Sequence, residues 1–507
     1  MDKKVRTRRF AAVLVFALAV TSSHAQSPPK MKMTTAIPAE ITTPDSVETR
    51  LGTLKFFDGF PDDQTVEKVM DNLDFSRGVQ AFLVGMPGAS LVGMRTGFQK
   101  LGAVNGSVLI FENLLDSKSL FLTGNTDSVY FSTWLNLKDG PLVLETPPKV
   151  LAFVDDSWFQ YVTDIGNVGP DKGKGGKYLV LPPGYSGEVP KGYLVVRSRT
   201  YNLWLMGRGF KANGDIRPGV ESIKKNLRIY PLAQAKNLPE TKFINASGVE
   251  LNTIHANDFS YFEELNQIVQ EEPSEALDPE RLGLFASIGI EKGKPFAPDA
   301  RMKKILTEAA AVGNATARAI LFRTPMKAAY YYPNSAWIAT FVGGSYEFLS
   351  QPGVRNLDAR TLFFYYATGI TPAMAMKMVG VGSQYAAAFV DSEGKPLDGN
   401  KTYKIHLPPN IPAKDFWSFV VYDNQTRSML QTDQQFPSIG SQKKDLVVNP
   451  DSSVDVWFGP TAPKGHESNW VQTVPGKGWN VLLRLYGPGQ SWFDKTWKPG
   501  EFESVSR

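Results

Sequence analysis

The chain of 507 residues contains no cysteine. Disulfides, thiolate catalysis and cysteine-based metal sites are therefore excluded. Histidine is scarce, with four residues: His24, His255, His406 and His466. None stands at the spacing of a local metal pair such as His-x-x-x-His. Nor does any Gly-x-Ser-x-Gly elbow occur; Gly343-Gly344-Ser345-Tyr346 and Gly106-Ser107 fall short of it. A Ser–His–Asp triad built from distant residues stays open, because geometry defines it. After residue 25, no stretch approaches the ~18 apolar residues of a membrane span. An excess of one charge is missing too. The chain carries 55 basic and 50 acidic residues, but beyond residue 25 the balance is 50 to 49. A nucleic-acid partner needs a basic face or stripe, and none is expected here.

What is present begins with Lys3, Lys4, Arg6, Arg8 and Arg9, then the apolar run Phe10–Val20, then Ser23 and Ala25. A basic start, a short apolar core and small residues at the −3 and −1 positions make a cleavable secretory signal. Cleavage is expected between Ala25 and Gln26, giving a periplasmic or secreted protein with no transmembrane segment in the mature chain. Residues 26–50, rich in Pro, Thr and Lys, read as a flexible leader. Val66, Val69, Met70 and Leu73 predict a short helix capped by Asp62 or Asp63, with a second near Phe75–Leu83.

From about residue 106 the runs become short, β-branched and aromatic: Val108–Phe111, Val129–Leu135, Leu142–Leu144, Val150–Val154, Phe159–Thr163, Tyr178–Leu181 and Tyr193–Val196. Turn residues punctuate them, the pattern of a sandwich or barrel. Helical spacing returns at Glu263–Val269 and at Asp299–Phe322. Strands follow at Tyr385–Val390, Thr402–Leu407 and Asn480–Tyr486. A hairpin is expected to join Leu446–Val448 to Val454–Phe458. The fold class expected is mainly β with a helical insert and two jelly-roll or sandwich-type β domains. Domain limits are 51–210, 211–335 (the helical connecting segment) and 336–507.

Gly124-Asn125-Thr126-Asp127 with Tyr130 and Asp139-Gly140-Pro141 resembles domain of unknown function 1254. So does Gly173-x-Gly175-Gly176-Lys177-Tyr178 running into Pro182-Pro183-Gly184-Tyr185. The second half resembles domain of unknown function 1214, through Leu407-Pro408-Pro409, Phe416-Trp417-Ser418, Tyr422-Asp423, Ser468-Asn469-Trp470 and Arg484-Leu485-Tyr486-Gly487-Pro488. The resemblance implies two jelly-roll-type domains in this order, commonly behind a bacterial signal peptide. It implies little about chemistry.

Candidate catalytic residues are Asp127, Asp164 and His466. Candidate ligand-binding residues are Asn125, Tyr130, Trp158, Lys177, Asn469 and Trp470. Asn125 and Asp127 share a face at spacing two. Asp155, Asp156 and Asp164 surround Trp158 and Tyr161, a grouping that suits acid–base work on sugars or esters and equally suits exposed loops. The loop around His466 gathers imidazole, carboxylate, amide and indole; it reads as a ligand site or as a hydrogen-bonded turn. The lysine-rich loop Asp171–Lys177 reads as an anion cradle or as a mobile turn. No cofactor is expected. Calcium is compatible with Asp391–Asn400, although that segment lacks the loop pattern of a calcium site. The function expected is a hydrolase acting on an ester, lipid or glycan of the envelope or environment. The alternatives are a non-catalytic binder of glycan or lipid, using aromatic surfaces, and a structural protein that forms homo-oligomers through sheet edges. The partner would be a small molecule or a polymer.

Overall fold

A computed structural model describes residues 31–212 and 214–505. The expected signal peptide lies outside the described residues. The chain divides into two compact units, up to Val69 and from Met70 onward. In the first, strands β1 (Ser46–Thr49), β2 (Gly52–Phe57) and β3 (Phe60–Pro61) form an antiparallel meander. Residues 46–49, expected in the flexible leader, are held by this ladder. Helix α1 (Asp63–Lys100) starts here, and the Asp62 carboxylate accepts from the Thr65 amide at 2.8 Å, as a cap should.

Two short helices were expected where α1 runs unbroken for 38 residues. Its second half holds Pro87 and several glycines, which weaken a helical reading. Packing explains two of the glycines. A Cβ on Gly97 would lie 2.3 Å from the Asn252 carbonyl, and one on Gly88 would lie 2.6 Å from the Trp158 ring. Neighbouring backbone and indole approach too closely for a side chain at either position.

The first sandwich uses β4 (Val108–Ile110), β5 (Val129–Asn136), β6 (Leu142–Glu145), β7 (Val150–Asp156), β8 (Tyr161–Gly166), β9 (Lys177–Leu181), β10 (Leu194–Arg197), β11 (Asn202–Gly209), β12 (Arg228–Pro231) and β13 (Phe243–Asn245). A six-stranded sheet runs β13-β4-β5-β11-β7-β8, and a four-stranded sheet runs β10-β9-β6-β12. Strands β12 and β13 lie inside the stretch expected to be helical. Between the sheets pack Val129, Phe131, Leu144, Val154, Val180 and Leu205. Strand period two sends Tyr130, Trp134, Trp204 and Met206 to the opposite face, into a second, larger core. Both faces of β5 and β11 are thus buried, and each strand carries apolar residues on both faces.

Helices α2 (Ser260–Glu271), α3 (Ala300–Phe322) and α4 (Leu357–Tyr366) contribute to that larger core together with α1. As expected, Asp299 caps α3 by accepting from the Met302 amide at 2.8 Å.

The second sandwich comprises β14 (Ile338–Ala339), β15 (Ser383–Ala388), β16 (Thr402–Leu407), β17 (Ala413–Asp423), β18 (Ser438–Gly440), β19 (Val454–Gly459), β20 (Trp470–Gln472), β21 (Trp479–Pro488) and β22 (Glu503–Val505). Its sheets run β14-β15-β21-β17-β18 and β20-β19-β16-β22. Ile405, Phe419, Val456, Phe458 and Leu483 fill the space between them. Tyr385, Val420, Tyr422 and Leu482 face the other way, into the same core that receives Tyr130 and Trp204. The chain is mainly β with a helical insert, and its two sandwiches share a central aromatic and helical core.

The hairpin expected at 446–458 is only half right. Its turn closes, with the Asn449 amide donating to the Ser453 carbonyl at 2.9 Å. Leu446–Val448 forms no strand, because the Asn469 side chain takes over both backbone groups of Val447.

Candidate ligand cavity between the two sandwiches

The loop before β5 is where the two halves meet. Asn125 is 1% exposed. Its Nδ2 donates to Tyr130 Oη at 2.6 Å and to Tyr486 Oη, in the other sandwich, at 3.1 Å. Its Oδ1 accepts from the Asp127 amide and from Ser128 Oγ. Tyr422 Oη donates to the Gly124 carbonyl at 2.6 Å, and Arg484 Nη2 donates to the Thr123 carbonyl at 2.5 Å. Asp127 Oδ2 accepts from Ser418 Oγ at 2.6 Å. The motifs that carried the two family resemblances therefore bind each other.

Beside this seam lies a cavity of about 50 Å³. Two guanidinium groups line it, Arg208 from β11 and Arg484 from β21. Strand register places them. Arg208 sits opposite Tyr130, and Arg484 sits between Tyr385 and Ser418 on its two neighbouring strands. Arg208 is 8% exposed and Arg484 2%. Arginine stays charged at every accessible pH. Yet no carboxylate among the described residues lies within ion-pair distance of either, and both Nη1 atoms lack a hydrogen-bond partner. Arg208 Nη2 reaches the Met374 sulfur at 3.9 Å, and the Tyr385 hydroxyl lies beside the same guanidinium. Tyrosine faces supply the remaining contact: Arg208 lies 5.8 Å from the Tyr130 ring centre and Arg484 5.7 Å from that of Tyr422. Phe121, Phe153, Trp204, Phe341 and Phe363 complete apolar walls. Burial pushes the Asp127 carboxyl up from its ordinary value, against the pull of Ser418, Arg484, Lys211 and Arg208. Burial likewise raises the Tyr130 hydroxyl.

The other sequence candidates do not join this cluster. Asp164 accepts from Thr371 Oγ1 at 2.5 Å, and burial raises its carboxyl to about 6. Trp158 lines a different pocket. Asp155 is fully buried; burial and the nearby Asp156 and Asp164 carry its carboxyl well above the usual range, despite the bond from the Ile370 amide. Lys177 is exposed and pairs with Glu145 at 2.8 Å. His466 is exposed and stacks on Trp457, ring centres 4.5 Å apart. Asn469 and Trp470 spend their polar groups on backbone, Trp470 Nε1 on the Gly459 carbonyl. The loop around His466 is therefore a hydrogen-bonded turn. The lysine-rich loop closes on itself as well: Asp171 accepts from the Gly166 and Gly175 amides and from Tyr178 Oη. His406 Nδ1 donates to the Asp455 carboxylate at 2.8 Å on the surface. Among the described residues no three His, Asp or Glu side chains gather as a metal site would require.

Arg208, Arg484 and Tyr385 were missed as candidates. The available signal was a lone arginine within an apolar strand, Leu-Met-Gly-Arg-Gly and Leu-Leu-Arg-Leu-Tyr. A buried strand rarely carries an arginine without a partner.

Residues 106–231 match the family described as Protein of unknown function (DUF1254), and residues 382–490 match Protein of unknown function (DUF1214). Among solved structures, the VPA0106 protein from Vibrio parahaemolyticus aligns with a TM-score of 0.54 at 18% identity. That alignment covers 85% of this chain and 100% of the other, and it shows a shared fold. An uncharacterised protein from Burkholderia cenocepacia aligns at TM-score 0.37 and 12% identity, over 86% of this chain and 96% of that one. No functionally curated protein matches. The chain carries the two family matches in the order DUF1254 then DUF1214.

Proposed function

We propose that the cavity between the sandwiches binds a small organic anion, a carboxylate with an apolar body. One observation carries this reading: two buried guanidinium groups face one cavity, each with a free Nη1 and no ion pair among the described residues. Keeping a charge out of water costs several kcal/mol unless a partner compensates it. A carboxylate accepting from both arginines would do so, with charge-assisted bonds. The size supports a small head group, since a water-sized group needs roughly 10–15 Å³ on this measure. The ring walls suit an apolar tail.

Calorimetric titration of the folded protein with acetate, benzoate and octanoate tests this reading. Saturable binding that is lost in Arg208→Met supports it. Absence of binding for all three overturns it.

A hydrolytic reading has one observation in its favour. Asp127 is a carboxyl raised by burial, bonded to Ser418 and under the pull of three cations, Arg484, Lys211 and Arg208. Such a group can donate a proton while the arginines stabilise an oxyanion. Turnover of chromogenic esters of carboxylic acids, lost in Asp127→Asn, would favour it over simple binding. The basic, apolar and small-residue blocks of residues 3–25 support an exported address, periplasmic or extracellular. Mass spectrometry of the secreted chain would then begin at Gln26.

A further inference from the structure

A second pocket, of about 270 Å³, lies across α4 from the first. Phe363 and Tyr366 of α4 line the first cavity, while Arg360 and Phe364 line the second. Four guanidinium groups converge there: Arg199, Arg281, Arg355 and Arg360. Their partners are unequal. Arg199 pairs with Asp156 at 3.0 Å, and Arg281 pairs with Asp278. Arg355 donates from Nε only to the Glu347 carbonyl, at 3.0 Å. Arg360 is 6% exposed; its Nη2 donates to the Val84 carbonyl at 3.2 Å and its Nε has no partner. Neither Arg355 nor Arg360 forms an ion pair among the described residues. Burial lowers the Arg355 guanidinium, and burial together with Arg281 and Arg355 lowers that of Arg360 to about 10. The pocket thus concentrates positive charge that, among the described residues, Asp156, Asp278 and Glu347 offset only in part.

Aromatic rings form much of the remaining wall, among them Trp158, Tyr161, Tyr346 and Phe348, with Tyr161 and Tyr346 edge to face at 5.5 Å; Gln160 and one carboxylate, Glu347, also line it. Flat apolar faces of this kind stack the rings of sugars and aromatic compounds. Bidentate guanidinium recognition suits tetrahedral oxyanions. We propose that this pocket is a second, independent site, which binds a phosphate or sulfate ester carried on a ring such as a sugar. Arg355 and Arg360 grip the oxyanion, and Arg199 and Arg281 enclose it.

Thermal shift and calorimetry on the folded protein test the proposal at constant ionic strength, against chloride. The probes are inorganic phosphate, sulfate, glucose 6-phosphate and glucose 6-sulfate. Saturable binding is expected, tighter for the sugar esters than for the free ions. The stronger of the two esters identifies the head group. Arg355→Gln, which removes one half-buried cation and one backbone contact, should weaken binding about tenfold or more. Arg281→Gln should weaken it less, and Arg217→Gln, at an exposed ion pair that lines neither pocket, should leave it unchanged. Shifts no larger than those of chloride, or shifts unaltered by both Arg355→Gln and Arg281→Gln, would overturn the proposal.

Discussion

Ser418 donates to the Asp127 carboxylate at 2.6 Å across 291 residues of sequence. The bond joins the entry of β5 in the first sandwich to a central strand of the second. It belongs to a seam that also includes Asn125 with Tyr486, Tyr422 with Gly124, and Thr126 with Ser438. The cavity exists because these contacts hold the two sheets in register.

Asn125→Ala should expose how strongly that seam is held. It would orphan Tyr130 Oη and Tyr486 Oη and release the Asp127 and Ser128 donors. A loss of about 2–3 kcal/mol is expected in urea unfolding, the range for stranding buried polar partners. A loss below about 0.5 kcal/mol, the level of a neutral surface change, would mean that the seam does not depend on this amide.

Arg208→Met should separate stability from binding. Replacing an unpaired buried charge by an apolar side chain of similar volume is often neutral or stabilising, here by up to about 2 kcal/mol. The free protein should melt at the same temperature or higher, while the stabilisation by added carboxylate disappears. A variant that melts lower and still responds to carboxylate would count against the cavity as the anion site.

Acid stability should depend on His255. This imidazole is 2% exposed, ringed by Phe82 and Tyr261, and held down to about 4 by burial and by Arg427, although the Ala256 carbonyl favours its charged form. The folded state thus binds its proton more weakly than the unfolded chain, where the value is 6.5. Its contribution is complete above pH 6.5 and is lost as pH falls from 6.5 through 4. The loss amounts to about 3 kcal/mol by the usual conversion. Denaturant melts of His255→Phe against the parent, from pH 7 to pH 4, should show a shallower decline in the variant.

Glu264 should act on the alkaline side. Burial raises its carboxyl to about 8, with help from Asp258 and Glu263 and against the bond from the Ala256 amide. Here the folded state holds the proton more tightly than the unfolded one. Stability is complete below about pH 4.5, the ordinary glutamate range, and is lost as pH rises through 8. Glu264→Gln should therefore melt closer to the parent at pH 5 and increasingly above it at pH 8.5. Equal differences at both pH values would remove Glu264 from the account.

Much of the fold was legible because β5, β7, β9, β16 and β19 announce themselves locally. Alternation, turn residues and β-branched runs are short-range properties, and so is the cap of α3 at Asp299. The length of α1 was not legible, since Pro87 and the glycines look like helix breakers, and the need for Gly97 and Gly88 shows only once Asn252 and Trp158 are seen pressed against them. The first strand of the expected hairpin failed for a related reason: Asn469, more than 20 residues away, takes the hydrogen bonds that a ladder would need.

Of the candidate site, residue order alone determined Asn125, Asp127 and Tyr130, because they lie close together in one motif. It also determined that no thiol and no local histidine pair could take part. Only the tertiary structure decided that Arg208 and Arg484 face one cavity while His466 stays at the surface. Strand register and sheet packing set which residues hundreds of positions apart share a wall. Whether a buried arginine finds a carboxylate or is left for a ligand depends on that packing, not on its neighbours in sequence.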